Sequence, residues 1–246
     1  MYNFFVTSEN KKDSRYFICG DDYNHIKNVL RMTVGEHFLV SCQGISDLCE
    51  LESFESDTVV AKIIEENYQN TDLPIKIHLF QGLPKSDKLE LIIQKSVELG
   101  ITSITPVAMK RSIVKIDDKK KKSKRERWQA IAEAAAKQSK RTSIPEVKDV
   151  LSYKEMLNAA KDLDILLVPY ECAEGMTATK NALKEIKRDM SVGIIIGPEG
   201  GFEEKEIELA QEIGGKVISL GSRILRTETA AVTTAAMCML YSEMEL

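Results

Sequence analysis

Two stretches concentrate the residue types that could do chemistry. "GPEGGFEEKE", residues 197 to 206, leaves the apolar run "VGIIIG" through three glycines and a proline and carries four acids. "LGSRILRTETA", residues 220 to 230, also follows a short apolar run. Gly197, Gly200 and Gly201 remove side chains and tolerate positive φ, so backbone amides and carbonyls can approach a ligand closely. Pro198 stiffens the turn by fixing its own φ. Glu203 and Glu204 suit the positive end of a helix dipole but oppose an anionic ligand there. Neither GxGxxG nor GxxxxGK[ST] occurs, so both common nucleotide-phosphate fingerprints are missing. A neutral or cationic ligand fits better than a phosphate. Pro-Glu-Gly-Gly is also an ordinary turn, and alone it decides nothing. In the second stretch Arg226 stands between a strand end and a helix start. Thr227 is placed to cap that helix, with Glu228 and Thr229 in its first turn. A structural salt bridge to a loop acid is the ordinary role for an arginine placed so.

These loops need elements to hold them. From residue 75 onward strands and helices alternate: "IKIHLFQG", then "KSDKLELIIQKSVELG" closed by Gly100, then "ITSITPV". The amphipathic "RERWQAIAEAAAKQSKR" follows, then "SYKEML" with a Ser152/Glu155 capping box. "DILLVPYE", "TATKNALKEIK", "VGIIIG", "EEKEIELAQEIGG" and "KVISL" continue the alternation, and a long helix from about Thr227 ends it. Apolar strands alternating with helices predict an α/β fold with a largely parallel sheet covered on both faces. In such a sheet the ligand site lies beyond the carboxyl ends of the strands. The loops at 169–175, 197–201 and 221–228 therefore emerge on one edge and can wall a pocket together. Residues 1 to about 66 instead read as five or more short strands around one helix, "DDYNHIKNVLRM", which favours a small barrel. "NYQNTDLP", residues 67 to 74, reads as a linker.

Bulk properties set limits. The 246 residues are 43% hydrophobic and 29% charged, an ordinary globular composition. There is no bilayer-length apolar stretch and no signal-peptide pattern at the N-terminus. Five scattered cysteines without a CxxC pair read as reduced thiols in the cytoplasm. Three histidines (His25, His37, His78) form no ligand-like pair, so no metal is expected. Net charge is −4, yet residues 110 to 141 hold thirteen Lys and Arg against four acids. The rest of the chain must then carry −13, which places a basic patch on an acidic body.

The succession of motifs resembles the RsmE family of the SPOUT superfamily of RNA methyltransferases. "HIKNVLRMTVGE", "DKLELIIQKSVELGITSITPV", "RWQAIAEAAAKQSKR", "IGPEGGF" and "LGSRILRTETA" stand in the family's order over nearly the whole chain. The resemblance implies a PUA-like β-barrel RNA-binding domain at 1–70. It also implies a SPOUT methyltransferase domain at 74–246 with a trefoil knot, a bound S-adenosyl-L-methionine and homodimeric pairing. The implied reaction is methylation of N3 of a uridine in 16S ribosomal RNA, position 1498 in the usual rRNA numbering. Its expected substrate is the small (30S) subunit, and its expected place the cytoplasm. The alternatives are a non-catalytic rRNA-binding assembly factor, or a SPOUT enzyme acting on a ribose 2′-O or another base.

Carried over by position, the cofactor residues are Leu167, Val168, Pro169, Tyr170 and Glu171; Ile196, Gly197, Pro198, Glu199, Gly200 and Gly201; and Leu220, Gly221, Ile224, Leu225, Arg226 and Thr229. RNA contacts fall on Arg31, Lys85, Lys88, Arg111, Lys137, Gln138 and Arg141. Arg226 is the expected stabiliser of developing negative charge on the base, and Glu228, Glu199 or water the expected proton acceptor. Three features depart from the family's pattern: Asn3 replaces an arginine found in many relatives, "CQGIS" replaces a commoner Asp-Gly turn, and Ser222 replaces a proline.

Overall fold

The structure, a computed structural model, describes residues 1–173 and 175–246, and of residue 118 only its place in a helix. The chain forms two compact units. The first comprises residues 1–72 and 136–144, the second residues 73–135 and 145–246.

The first unit is a six-stranded sheet. Its strands are β1 (Asn3–Phe5), β2 (Lys11–Lys12), β3 (Arg15–Cys19), β4 (His37–Cys42), β5 (Ile45–Glu55) and β6 (Thr58–Gln69). They lie in the order β1-β4-β5-β6-β3-β2. Only β1 and β4 pair in parallel; the other pairs are antiparallel. Register shifts interrupt β5 against β6 after Ser46, Leu48 and Leu51, which lets these long strands bend. Phe4, Ile18, Phe38, Leu51 and Val59 form the buried core. The single expected helix is short: α1 (Asp21–Asn24) passes into a π-helical turn at His25–Val29 that buries Ile26. The expected linker begins later than its composition indicates. Its first residues, through Gln69, belong to β6, where Gln69 pairs with Ser46 of β5.

The second unit is a seven-stranded sheet in which every pair is parallel. Its strands are β7 (Lys76–Gly82), β8 (Ser103–Ala108), β9 (Glu146–Val147), β10 (Leu151–Ser152), β11 (Ile165–Pro169), β12 (Ser191–Ile196) and β13 (Lys216–Ile218). The order is β10-β8-β7-β12-β11-β13, with β9 also on β8. The run "VGIII" is apolar because β12 is central, between β7 and β11, and buried on both faces. Gly193 within it has a packing reason: a Cβ there would come within 2.7 Å of both Leu163 and Leu166.

The helices are α2 (Lys88–Glu98), α3 (Asp118–Gln138), α4 (Tyr153–Ala160), α5 (Thr177–Lys184), α6 (Glu204–Glu212) and α7 (Thr227–Glu245). α2 ends where predicted, with Gly100 at φ +88°. The α4 capping box forms as read: Glu155 N donates to Ser152 Oγ, and Ser152 N to Glu155 Oε2. α7 packs against α2, β7 and β12, and Ala231, Ala235 and Cys238 on it are buried. Its opposite side leaves Leu240 and Met244 exposed, 49% and 71%. Among the described residues no helix is long and apolar enough to cross a membrane.

Candidate donor-binding site

Strands β11, β12 and β13 end side by side, and the three loops that follow them wall one cavity of about 850 Å³. That volume lies within the range of small-molecule sites. Pro169, Tyr170 and Glu171 come from the first loop. Ile196, Gly197, Pro198, Glu199 and Gly201 come from the second, and Leu220, Gly221, Ile224, Leu225 and Arg226 from the third. Most of this wall is glycine, backbone and aliphatic carbon. Its charged members are Lys88, Glu171, Glu199, Arg223 and Arg226. Residue 174, in the first loop, lies outside the described residues.

Four of the sequence-predicted cofactor positions are not on the wall: Leu167, Val168, Gly200 and Thr229. Leu167 and Val168 are buried in β11 and support the loop from beneath, and Thr229 is exposed on α7. Gly200 is on the loop but turned from the cavity: a Cβ there would meet Arg111 Cβ at 3.0 Å and Arg111 O at 3.2 Å. The absent side chain at Gly200 thus makes room for Arg111, whose Nη1 donates to Gly200 O at 3.1 Å. Gly201 needs its glycine for conformation, at φ +69°. Ile224 lines the cavity yet is 86% exposed. Sequence reasoning missed Phe202, Ser219, Met176 and Thr227, all of which line the cavity. Phe202 closes "GPEGGF" and had the visible signal of an aromatic beside the glycines.

The start of α7 is tied to the 197–201 loop by a chain of hydrogen bonds. Gln81 Nε2 donates to Thr227 Oγ1 at 2.9 Å, and Thr227 Oγ1 donates to Gly197 O at 2.6 Å. Arg226, the residue before the first helical position, has extended backbone (φ −66°, ψ 154°) and an exposed side chain. Among the described residues no acid lies within ion-pair distance of it, so the salt-bridge role left open for Arg226 is not taken up.

Lys88, one of the expected RNA contacts, lies on the cavity wall and is held by two acids. Its Nζ stands 3.1 Å from Glu199 Oε1 and 3.3 Å from Glu228 Oε2. Glu199 also accepts from the Lys85 backbone amide at 3.0 Å. Burial pushes the Glu199 carboxyl up, but the backbone hydrogen bonds and Lys88 outweigh it, and the group sits below the usual carboxylate range. The hydrogen bond to Glu199 is the largest cause raising Lys88 above the ordinary lysine value. Glu228 faces Lys88 and is not part of the cavity wall. Its Oε2 is buried and, though within charge contact of Lys88, makes no formed hydrogen bond.

The other expected RNA residues fall on both units. In the second, Lys85 and Arg111 are exposed next to the 197–201 loop. In the first, Arg31 is exposed at φ +54°, Gln138 is exposed, and Lys137 pairs with Asp22 at 3.0 Å. Arg141 departs from the expectation of a surface contact. It is 5% exposed, its Nη2 lies 3.1 Å from Asp72, and burial lowers its pKa. Asn3 is buried beside it and donates to Arg141 O at 2.8 Å, while Ser41 Oγ donates to Asn3 Oδ1. Among the described residues no group of His, Cys, Asp and Glu could hold a metal.

An RNA methyltransferase domain family matches residues 71–239, and an RNA methyltransferase PUA domain family matches residues 18–64. The chain belongs to the ribosomal RNA small subunit methyltransferase E family. It is 42% identical over 237 residues to the Bacillus subtilis member, covering 94% of this chain and 93% of that one. Identity to the Mesomycoplasma hyopneumoniae member is 36% over 241 residues, with 97% and 99% covered. The crystal structure of the Neisseria gonorrhoeae member bound to S-adenosyl methionine superposes with a TM-score of 0.80, at 29% identity, over 98% of this chain and 97% of that one. The family expectation drawn from "IGPEGGF" and "LGSRILRTETA" is thereby met, and the first unit is PUA-like.

Proposed function

We propose that this protein methylates N3 of a uridine in 16S ribosomal RNA, using S-adenosyl-L-methionine held in the cavity between the three loops. The observation that carries the reading is the cavity itself: glycine-lined, of about 850 Å³, without a phosphate cradle, and with an arginine at its edge that no acid neutralises among the described residues. A cationic, phosphate-free donor suits that wall. Pro169, Ile196, Leu220 and Leu225 offer apolar surface to an adenine, and Gly197 and Gly201 offer backbone polar groups.

When bound, the donor supplies a methyl group: the N3–CH₃ bond forms as the S–CH₃ bond breaks, and its electron pair stays on sulfur. The protein's part is alignment and charge. Uridine N3 must lose its proton, and the negative charge that develops spreads onto O2 and O4. Arg226, on the wall and without an acid partner among the described residues, stabilises that charge. Of the two candidate acids, Glu199 has its oxygens engaged by the Lys85 amide and Lys88. Glu228 is paired with Lys88 as well but, among the described residues, accepts from no backbone amide, so Glu228 is the better acceptor and, being off the cavity wall, receives the proton through water. A paired target base would be extruded into the cavity first.

The remaining assignments belong to the same proposal. Residues 1–70 contribute RNA recognition, and residues 74–246 form the donor-binding domain. Its final segment is knotted, a reading supported by the return of the chain from edge strand β13 past Gly197 to α7. Two copies pair through the face of α7 that exposes Leu240 and Met244. The enzyme acts in the cytoplasm on the small subunit. Labelled donor supplied to unmodified small subunits, with the product nucleotide mapped by mass spectrometry, tests the reading. A label on uridine N3 supports it; a label on a ribose or another base moves the target, and no transfer removes the activity.

A further inference from the structure

Lys88 opens α2, and its ammonium meets two carboxylates that belong to different segments. Glu199 lies on the loop after β12 that forms the cavity wall; Glu228 lies in the first turn of α7. Both acids are within 3.3 Å of one nitrogen, and Lys88, Glu199 and Glu228 are 31%, 27% and 17% exposed. Two carboxylates held so close would repel each other without the cation between them. The same two segments are joined a second time, inside, by Thr227 Oγ1 to Gly197 O. The sequence between these bridges is short: Arg226, Thr227 and Glu228 are consecutive.

We propose that Lys88 is a positioning residue, whose ammonium, clamped between Glu199 and Glu228, fixes the first turn of α7 against the donor loop and so sets the places of Arg226 and Glu228. It rests on the methyl-transfer reading above. Lys88 touches neither reacting atom in this account; it acts through the two residues that do the work on the base. The charged groups around the clamp are Lys88 on α2, Glu199 on the loop and Glu228 on α7, with the Lys85 amide also on Glu199. Removing the ammonium leaves the two acids facing each other, so one of them must take up a proton at higher pH than before.

The test compares Lys88→Met, which keeps the length and loses the charge, with Lys88→Arg. Methyl transfer to unmodified small subunits is measured at saturating donor across acidic to alkaline pH, and donor affinity is measured by calorimetry. Lys88→Met should lower kcat by about 10- to 100-fold, the scale of a misplaced catalytic group. Its donor Kd should stay within a few-fold of wild type, the acid limb of kcat should move to higher pH, and Lys88→Arg should recover most of the rate. A wild-type kcat and acid limb in Lys88→Met overturn the proposal. So does a Kd that weakens in step with kcat, since Lys88 is then a donor contact. Hydrogen exchange is read on the same variants. Residues 197–201 and 227–230 should lose protection together in Lys88→Met, and unchanged protection overturns the clamp even if wild type proves inactive on the subunit. Inactive wild type, by contrast, removes the methyl-transfer reading while the exchange data still decide the clamp.

Discussion

Gly82→Ala puts the placement of the donor loop to a direct test. Gly82 ends β7 beneath that loop, and a Cβ there would stand 2.7 Å from Pro198 N, 2.8 Å from Pro198 Cδ and 3.0 Å from Gly197 C. Ordinary contact begins near 3.4 Å, so something must give by about 0.7 Å. Gly82 cannot retreat, because it pairs with Val107 of β8 while its neighbour Gln81 pairs with Ile196 of β12. The loop must therefore move, and a shift of that size stretches the 2.6 Å bond from Thr227 Oγ1 to Gly197 O to as much as about 3.3 Å, past the usual O–H···O range. Overpacking of this kind costs about 1–3 kcal/mol. At about 2–4 °C per kcal/mol for a chain of this size, Tm should fall by several degrees. Donor affinity should weaken by about tenfold or more, since 1.4 kcal/mol of distortion already accounts for that factor. Gly35→Ala is the control. Its Cβ would meet nothing within 4 Å, but its φ of +92° makes alanine strained, and it lies in the first unit. It should lower Tm and leave donor affinity unchanged. Scanning calorimetry and donor titration on both variants read the outcome. Equal donor affinity in Gly82→Ala and Gly35→Ala would refute the claim that the 197–201 backbone forms the donor wall.

Three further expectations follow from the site. Arg226→Ala should lower kcat by about 100-fold or more while donor Kd stays within a few-fold, because Arg226 acts on charge that develops only during transfer; unchanged turnover takes it out of the mechanism. Glu199 is held below its usual pKa, so its contribution to stability is full above the unfolded value of about 4.3 and is lost as pH falls through the lower folded value. The Tm difference between wild type and Glu199→Gln should accordingly be constant near neutrality and shrink in acid. Burial pushes the thiols of Cys49 and Cys238 up to about 12, whereas Cys19 and Cys172 are exposed. Alkylation of the native protein followed by peptide mass spectrometry should mark Cys19 and Cys172 first, and Cys49 and Cys238 only after unfolding.

What the sequence announces is what local chemistry dictates. The apolar runs "DILLVP", "VGIII" and "KVIS" stand one after another between helices, so a parallel sheet and three loops on one edge follow from alternation alone. The Ser152/Glu155 box and the Gly100 stop are written within a few residues and form as read. Long-range partners are not so written. Lys88 at the start of α2 has the look of a solvent or RNA-facing lysine, because the acids that claim it lie far downstream. Arg141 belongs to a run of basic residues, yet Asp72 and the buried Asn3 draw it inside the first unit. Gly200 stands among ligand-facing glycines, but its missing side chain serves Arg111. The grouping of residues 136–144 with the first unit has no local signal, since α3 runs unbroken through Gln138.

In the proposed complex one donor molecule sits between the loops after β11, β12 and β13, with its methyl group presented toward Arg226. A crystal structure of this protein with S-adenosyl-L-methionine, or with its demethylated by-product, measures that directly. The adenine is expected among Ile196, Leu220 and Leu225, with Gly197 and Gly201 in backbone contact. A donor bound at any other place on the chain would contradict it.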